Sequence, residues 1–449
     1  MVWFFISLLL SLLVIINNCL LVLLCCYNQD LVYDISYREM RHLFLFALAS
    51  LIYAKPTVPT DNDFQFNIPL TNYSVPLIAA KNSHHLYIYV GSPPQRRLVI
   101  ADTGSRFLVF PCKPCVQCGN QHFSKEYFDP SYSTTDINNQ CSARECFFSE
   151  KDTCNKSDEC SWRSAYTEGS SIRGFEVEDL VWIGTDNLEE SIKVHMQAAV
   201  PFSFGCETSE TGLIADQYAD GIMGLASLQK DTVVDVMHRE GAIPHRAFAL
   251  CLTADGGVLS LGGTAVSHRH KEQMTRQPLT SSNYYTVEVT ACFVGDIELK
   301  GHSDRFIEDA FNAGKGTVVD SGTTDTYISK RVAPEFIRAW EKITKTRYHS
   351  EATQLTWHTF QKLPNVTIVL ASGYKWVIEP HSYMEQAHLK ENPLIDTRSA
   401  WDGRITFKNR LYVDEPEGAV LGSNAMIGHD ILFDLEGQTL GIARADCTR

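Results

Sequence analysis

Two aspartates stand in nearly identical surroundings in opposite halves of the chain: Leu98-Val-Ile-Ala-Asp102-Thr-Gly-Ser105 and Gly316-Thr-Val-Val-Asp320-Ser-Gly-Thr-Thr324. Each ends a run of strand-forming apolar residues, and a hydroxyl residue, a glycine and a second hydroxyl residue follow. One Asp-Thr-Gly reads equally well as a polar turn after a strand. Two copies, both behind a buried-strand pattern, predict a pair of carboxyl groups brought to one place. Carboxylates that close cannot both stay ionised, so the pair keeps one proton between them. The ionised member can take a proton from a water that attacks a peptide carbonyl. The protonated member can polarise the carbonyl oxygen and later protonate the leaving nitrogen. This chemistry needs no covalent intermediate, no metal and no other cofactor. Acid and base roles belong to the pair, not to Asp102 or Asp320 singly.

Delivering two such loops to one cleft calls for two homologous lobes. The segment His85-Leu-Tyr-Ile-Tyr-Val-Gly91 alternates as a strand and turns at Gly91 and two prolines before the first aspartate. Ala165-Tyr166-Thr-Glu168-Gly169-Ser-Ser-Ile-Arg-Gly174, with the apolar-rich Phe175–Val181 behind it, reads as a hairpin with a glycine-bearing tip. Further on come Ala219-Asp-Gly-Ile-Met-Gly-Leu225, Gly256-Gly-Val-Leu-Ser-Leu-Gly-Gly263 and a closing hairpin over 431–443. Helical spacing over Tyr327–Trp340, strands over 363–370 and 376–380, and a surface loop over 385–402 complete the reading. In this order, over about residues 84–447, these stretches resemble the pepsin-like aspartic peptidases.

That resemblance implies an all-β, bilobal fold, with an N-terminal lobe over 84–270 and a C-terminal lobe over 271–449. It makes Asp102 and Asp320 the catalytic pair. Thr103 and Ser321 tie the two loops together, Gly104 and Gly322 permit the turns, and Ser105 and Thr323 hydrogen-bond the carboxylates from the side. Ile222-Met223-Gly224 and Val420-Leu421-Gly422 thread behind the two loops. The hairpin becomes the flap over the substrate, with Tyr166 at the position of the family tyrosine and Glu168 and Gly169 beyond it. The tryptophan often found seven residues past the first aspartate is replaced by Val109, so this flap must be held differently.

Between the first loop and the flap lies a cysteine-rich insert in the N-terminal lobe: Cys112, Cys115, Cys118, Cys141, Cys146, Cys154 and Cys160. It resembles that of the nepenthesin-type and plasmepsin V-type subgroups. Tyr166-x-Glu168-Gly169-Ser, and Gln217-Tyr-Ala-x-Gly-Ile after Phe204-Gly-Cys206, are also similar to the plasmepsin V type. For a chain entering an oxidising compartment, a disulfide framework is preferred over a zinc site. The family pattern suggests Cys206 with Cys447, and Cys251 with Cys292 closing the second lobe. Nested spacing suggests Cys141 with Cys160 and Cys146 with Cys154, and proximity suggests Cys112 with Cys115. Cys118 is then left over, or takes Cys112 or Cys115 and frees the other.

At 449 residues the chain is long enough for two lobes, and a net charge of −14 argues against a nucleic-acid partner. Residues 1–27 carry no charged side chain until after Tyr27 and are long enough to span a bilayer. A second apolar stretch, 43–54, follows Arg38 and Arg41 in the manner of a signal peptide. Either residues 1–27 are a signal anchor or translation starts at Met40; the second is preferred. Both place the catalytic part in the secretory pathway, most simply the endoplasmic reticulum, with any membrane anchoring through residues 1–27. Residues 55–83 form a short linker or prosegment. Sequons at Asn72, Asn155 and Asn365 permit glycosylation. The expected protein is a monomeric aspartic endopeptidase acting on peptide and protein substrates. The subgroup likeness implies a basic residue upstream of the cut, read by Glu168 with Gln217 as a second contact. The alternatives are a soluble, broad-specificity digestive protease and a pepsin-fold binding module without catalysis.

Overall fold

A computed structural model of the protein describes residues 73–81, 83–137, 140–143, 146–148, 154–166, 169–226, 231–281, 283–386 and 404–448. The apolar segments within 1–54, most of the 55–83 linker and most of the expected 385–402 loop lie outside these residues. Among the described residues no helix is long and apolar enough to cross a membrane.

The fold is all-β, bilobal and pepsin-like. A thirteen-stranded sheet holds Gln95–Asp102 between Ser83–Val90, antiparallel, and Gly221–Gly224, parallel. Flanked on both edges and covered on both faces, Leu98, Val99 and Ala101 are fully buried, which is why this stretch reads as an apolar run rather than an alternation. The same sheet runs through Tyr73–Ala80, Gly256–Leu261 and Ala247–Thr253 to His429–Asp434 and Thr439–Arg444, so the closing hairpin completes a sheet begun by the N-terminal half. A five-stranded sheet holds Thr317–Val319 between Thr286–Val287, antiparallel, and Ala419–Leu421, parallel. The duplication seen in the sequence is therefore a duplication of topology.

The spacing read as one helix over Tyr327–Trp340 divides in two. Thr326–Ser329 is a strand beside Leu411–Glu415, with Tyr327 stacked on Tyr412. The helix is Ala333–Thr344, burying Phe336, Ala339 and Trp340. Pro334 sets that boundary, because proline is tolerated in a first helical turn and not in the interior. The other two strands appear as Val366–Leu370 and Lys375–Ile378.

The cysteine pairing departs from the preferred scheme, and only the alternative that gives Cys118 to Cys115 is found. Cys112 joins Cys206, not Cys115, because Leu108–Pro111 runs parallel to Val200–Glu210 and places their Cα atoms 5.1 Å apart. Cys115 takes Cys118, which is therefore not the odd thiol. In the insert, Cys141 pairs with Cys154 and Cys146 with Cys160, instead of Cys141–Cys160 and Cys146–Cys154. The sulfurs of Cys141, Cys146 and Cys160 share one cluster, with Cys141 and Cys146 Sγ 3.5 Å apart, so nesting in sequence could not choose between pairings. The chain end is tied by Cys251–Cys447, not Cys206–Cys447: His429–Asp434 lies beside Ala247–Thr253 and pairs with the hairpin strand leading to Cys447. Cys292, expected to bond Cys251, is free and buried in Val289–Val294, and burial pushes its thiol up to about 12.

Candidate active site

Each aspartate sits where its strand stops and the chain turns over a glycine. The Gly104 N–H donates to Asp102 Oδ1 at 2.8 Å and the Ser105 hydroxyl to Asp102 Oδ2 at 2.5 Å. The second loop repeats this: Gly322 N–H to Asp320 Oδ1 at 2.9 Å and Thr323 hydroxyl to Asp320 Oδ2 at 2.7 Å. A Cβ on Gly104 would collide with the Asp320 carboxyl, and one on Gly322 with that of Asp102. Each carboxyl thus lies against the glycine turn of the other loop, close enough for the two charges to act on each other. Glycine is required here for approach, not for backbone conformation.

Four reciprocal bonds lock the loops together. The Thr103 hydroxyl donates to Val319 O at 3.0 Å and accepts from Ser321 N–H at 2.9 Å. The Ser321 hydroxyl donates to Ala101 O at 2.6 Å and accepts from Thr103 N–H at 3.1 Å. Both hydroxyls are buried, so each bond satisfies a backbone group that has no access to water. Behind each loop the apolar-apolar-glycine segment pins the turn: Leu225 N–H donates to Asp102 O at 2.8 Å, and Asp320 N–H donates to Leu421 O at 3.0 Å.

Asp102 is 8% exposed. Burial, and then the neighbouring Asp320, push its carboxyl up to about 7, against the opposing hydrogen bonds from Ser105 and Gly104. The folded protein thus binds this proton more tightly than the unfolded chain, whose aspartates titrate near 3.9. A raised pKa contributes stability that is full below the unfolded value and is lost as pH rises through about 7. Urea midpoints should fall between pH 4.5 and 8, and Asp102→Asn, which cannot titrate, should flatten that fall. An unchanged slope in the variant would show that the proton is held elsewhere.

The Tyr166 hairpin consists of Ser161–Ala165 and the start of Ser171–Gly184. Its turn closes with Tyr166 N–H donating to Ser170 O and Gly169 N–H to Tyr166 O, and Gly169 takes φ +99°, a conformation that favours glycine. Glu168 lies outside the described residues. The aromatic bulk missing at Val109 comes from the hairpin itself. Trp162 lies over Gly205 beside Val109, stacks on Phe148 of the insert at 5.0 Å, and Phe148 stacks on Phe107 at 4.3 Å. Tyr166 packs against this cluster. Insert, first loop and hairpin thus share one aromatic stack that sequence reasoning missed. Its only trace was a tryptophan four residues before the tyrosine on a strand pattern. Gln217 lies in the 211–220 loop, whose Ile214 joins the same cluster, and its amide nitrogen is buried with no hydrogen-bond partner.

The family model described as xylanase inhibitor N-terminal matches residues 85–263. Aspartic protease 5 of Toxoplasma gondii is 35% identical over 196 residues, 40% of this chain and 19% of that protein. Plasmepsin V of Plasmodium falciparum is 30% identical over 214 residues, 46% of this chain and 34% of that protein. The chain therefore spans about a fifth to a third of the length of these relatives. Aspartic proteinase 36 of Arabidopsis thaliana is 26% identical over 405 residues, 84% of this chain and 78% of that protein.

Proposed function

We propose that the chain is a pepsin-like aspartic peptidase, an endopeptidase cleaving an extended peptide held beneath the Tyr166 hairpin; its likeness to the aspartic proteases and the paired loops support this. One observation carries this reading: two carboxyls, each packed against the glycine turn of the other's loop, with burial and the neighbouring Asp320 raising Asp102 to about 7. With one proton shared, the pair can deprotonate a water and protonate the departing amine in a single turnover. Thr103 and Ser321 hold the carboxyls in place by locking the loops, and Ser105 and Thr323 bond one oxygen of each. Five disulfides support action in an oxidising compartment, the secretory pathway.

The finer reading is processing of proteins with a basic residue upstream of the cut. It rests on the likeness to Plasmepsin V and on Glu168, two residues past Tyr166, with Gln217 offering an unpaired amide on the hairpin side. A guanidinium pairing with a carboxylate in a closed cleft should contribute about 1.5–3 kcal/mol, roughly ten- to a hundred-fold in kcat/KM. Two peptides differing only in arginine against alanine, assayed with wild type and Glu168→Ala, measure it. The expected result is a strong arginine preference that collapses in the variant. Equal ratios in both enzymes would remove Glu168 as the reader and favour broad specificity. No cleavage of any peptide would favour the binding-module alternative.

A further inference from the structure

The cysteine-rich insert holds two disulfides side by side, and the proposed reaction uses neither. Cys141 bonds Cys154 and Cys146 bonds Cys160, yet the Sγ atoms of Cys141 and Cys146 lie only 3.5 Å apart. Cys141, Cys146 and Cys160 are 7%, 6% and 0% exposed, whereas Cys154 is open to solvent. Cys154 and Cys160 are also placed to meet, because they stand opposite each other in an antiparallel bridge. Inside that bridge the Asn155 N–H donates to Glu159 O at 3.0 Å. Cys154 and Cys160 are therefore a non-hydrogen-bonded pair, whose side chains approach most closely. The Cα separation of such a pair, about 4.5 Å, falls within the span of a disulfide. The fold thus prearranges two pairings of the same four cysteines: the observed one, and Cys141–Cys146 with Cys154–Cys160.

The two pairings differ in what they hold. Cys146 is followed by Phe147 and Phe148, and Cys160 by Ser161 and Trp162. The Cys146–Cys160 bond therefore ties together the two segments whose rings stack, Phe148 on Trp162 at 5.0 Å. The same segments meet at the fully buried Glu176, on the long hairpin strand Ser171–Gly184. The Phe147 and Phe148 N–H groups donate to its carboxylate at 2.8 and 2.6 Å, and its own N–H donates to Cys160 O at 2.9 Å. In the other pairing both bonds are local, and no crosslink joins the Phe147–Phe148 segment to the hairpin.

We propose that these four cysteines form a disulfide switch, operated by a small-molecule thiol, that sets how firmly the Tyr166 hairpin is held. The incoming thiolate attacks the exposed Cys154 Sγ, forms a mixed disulfide there and releases Cys141 as a thiolate. Burial and an Asp158 carboxylate oxygen within 4.8 Å leave that thiolate poorly stabilised. It attacks the neighbouring Cys146 Sγ, forming Cys141–Cys146 and releasing Cys160. Cys160 then attacks Cys154 in the mixed disulfide, forming Cys154–Cys160 and expelling the incoming thiolate. Each step exchanges one S–S bond for another, so two disulfides remain and no oxidant or reductant is consumed. The consequence for catalysis rests on the reading of the hairpin as a cover for bound peptide; the exchange itself does not.

The test incubates the full chain with reduced glutathione, quenches samples with an alkylating reagent, digests them without reduction and maps the bonds by mass spectrometry. Glutathione should appear first on Cys154, followed by Cys141–Cys146 and Cys154–Cys160, with Cys112–Cys206 and Cys251–Cys447 intact. As the new pairing forms, amide protection of Ser161–Ala165 against hydrogen exchange should fall about tenfold or more. Protection of Val366–Leu370, in another sheet, should stay level, and KM should rise with little change in kcat. Cys154→Ser gives an independent reading, because it leaves Cys141 free beside Cys146 with no thiol added. Alkylation of this variant, denatured but unreduced, should label Cys160 as well as Cys141 and Cys292. Label on Cys141 and Cys292 without Cys160 overturns the proposal. So does a wild-type pairing that glutathione leaves unchanged, with or without an adduct on Cys154, and so does a new pairing with hairpin protection intact. Should Cys154→Ser fail to fold, the glutathione course of the wild type decides. A protein that shows the exchange and the loss of protection but cleaves no peptide keeps the switch and loses the peptidase reading.

Discussion

Asp102→Asn and Asp320→Asn should each lower kcat by about 10⁴-fold, while the protein stays folded. Asparagine preserves the shape of the side chain and an oxygen for the Gly104 or Gly322 N–H. The reciprocal bonds between Thr103 and Ser321 involve neither carboxyl and should survive. What is lost is the shared proton: a single carboxyl cannot be base for the water and acid for the leaving nitrogen in one cycle. Because the two act as a unit, the double variant should be scarcely worse than either single one. Peptide turnover with purified variants, alongside their thermal unfolding, measures this. A folded single variant within tenfold of wild type would exclude the pair as the catalytic centre.

Breaking the Cys251–Cys447 bond should be the costliest of the disulfide removals. It joins residues 196 apart in sequence, so its loss releases the most unfolded-chain entropy, about 5 kcal/mol on the loop-closure model. It also frees the end of the chain from a strand it does not directly adjoin. Removing Cys115–Cys118, three residues apart, should cost only about 2 kcal/mol by the same reasoning. Denaturant unfolding of Cys447→Ala and Cys118→Ala gives the comparison, and equal losses would refute the ranking. Alkylation of the denatured, unreduced protein should label Cys292 among the described cysteines. In the folded protein Cys292 should stay unlabelled, because burial keeps its thiol protonated and out of reach.

The features legible in the sequence were those written in short range. The apolar run ending in Asp-Thr-Gly or Asp-Ser-Gly, repeated in each half, specifies a buried strand and a turn from adjacent residues alone, and Gly169 marks its hairpin tip by the same local logic. The hydroxyls Thr103 and Ser321 could be assigned as ties because the motif carries them beside each aspartate. What local pattern could not convey was which strand lies beside which. Cys112 meets Cys206 only because two strands far apart in sequence run parallel, and Cys447 meets Cys251 only because the closing hairpin joins a sheet begun by the other half. Trp162 fills the space beside Val109 because the hairpin folds back over Gly205, which no spacing rule encodes. Sequence determined the two carboxyl-bearing turns, since a turn depends on its neighbours. Tertiary structure alone decided the partners across strands, since those depend on the order in which the sheet is assembled.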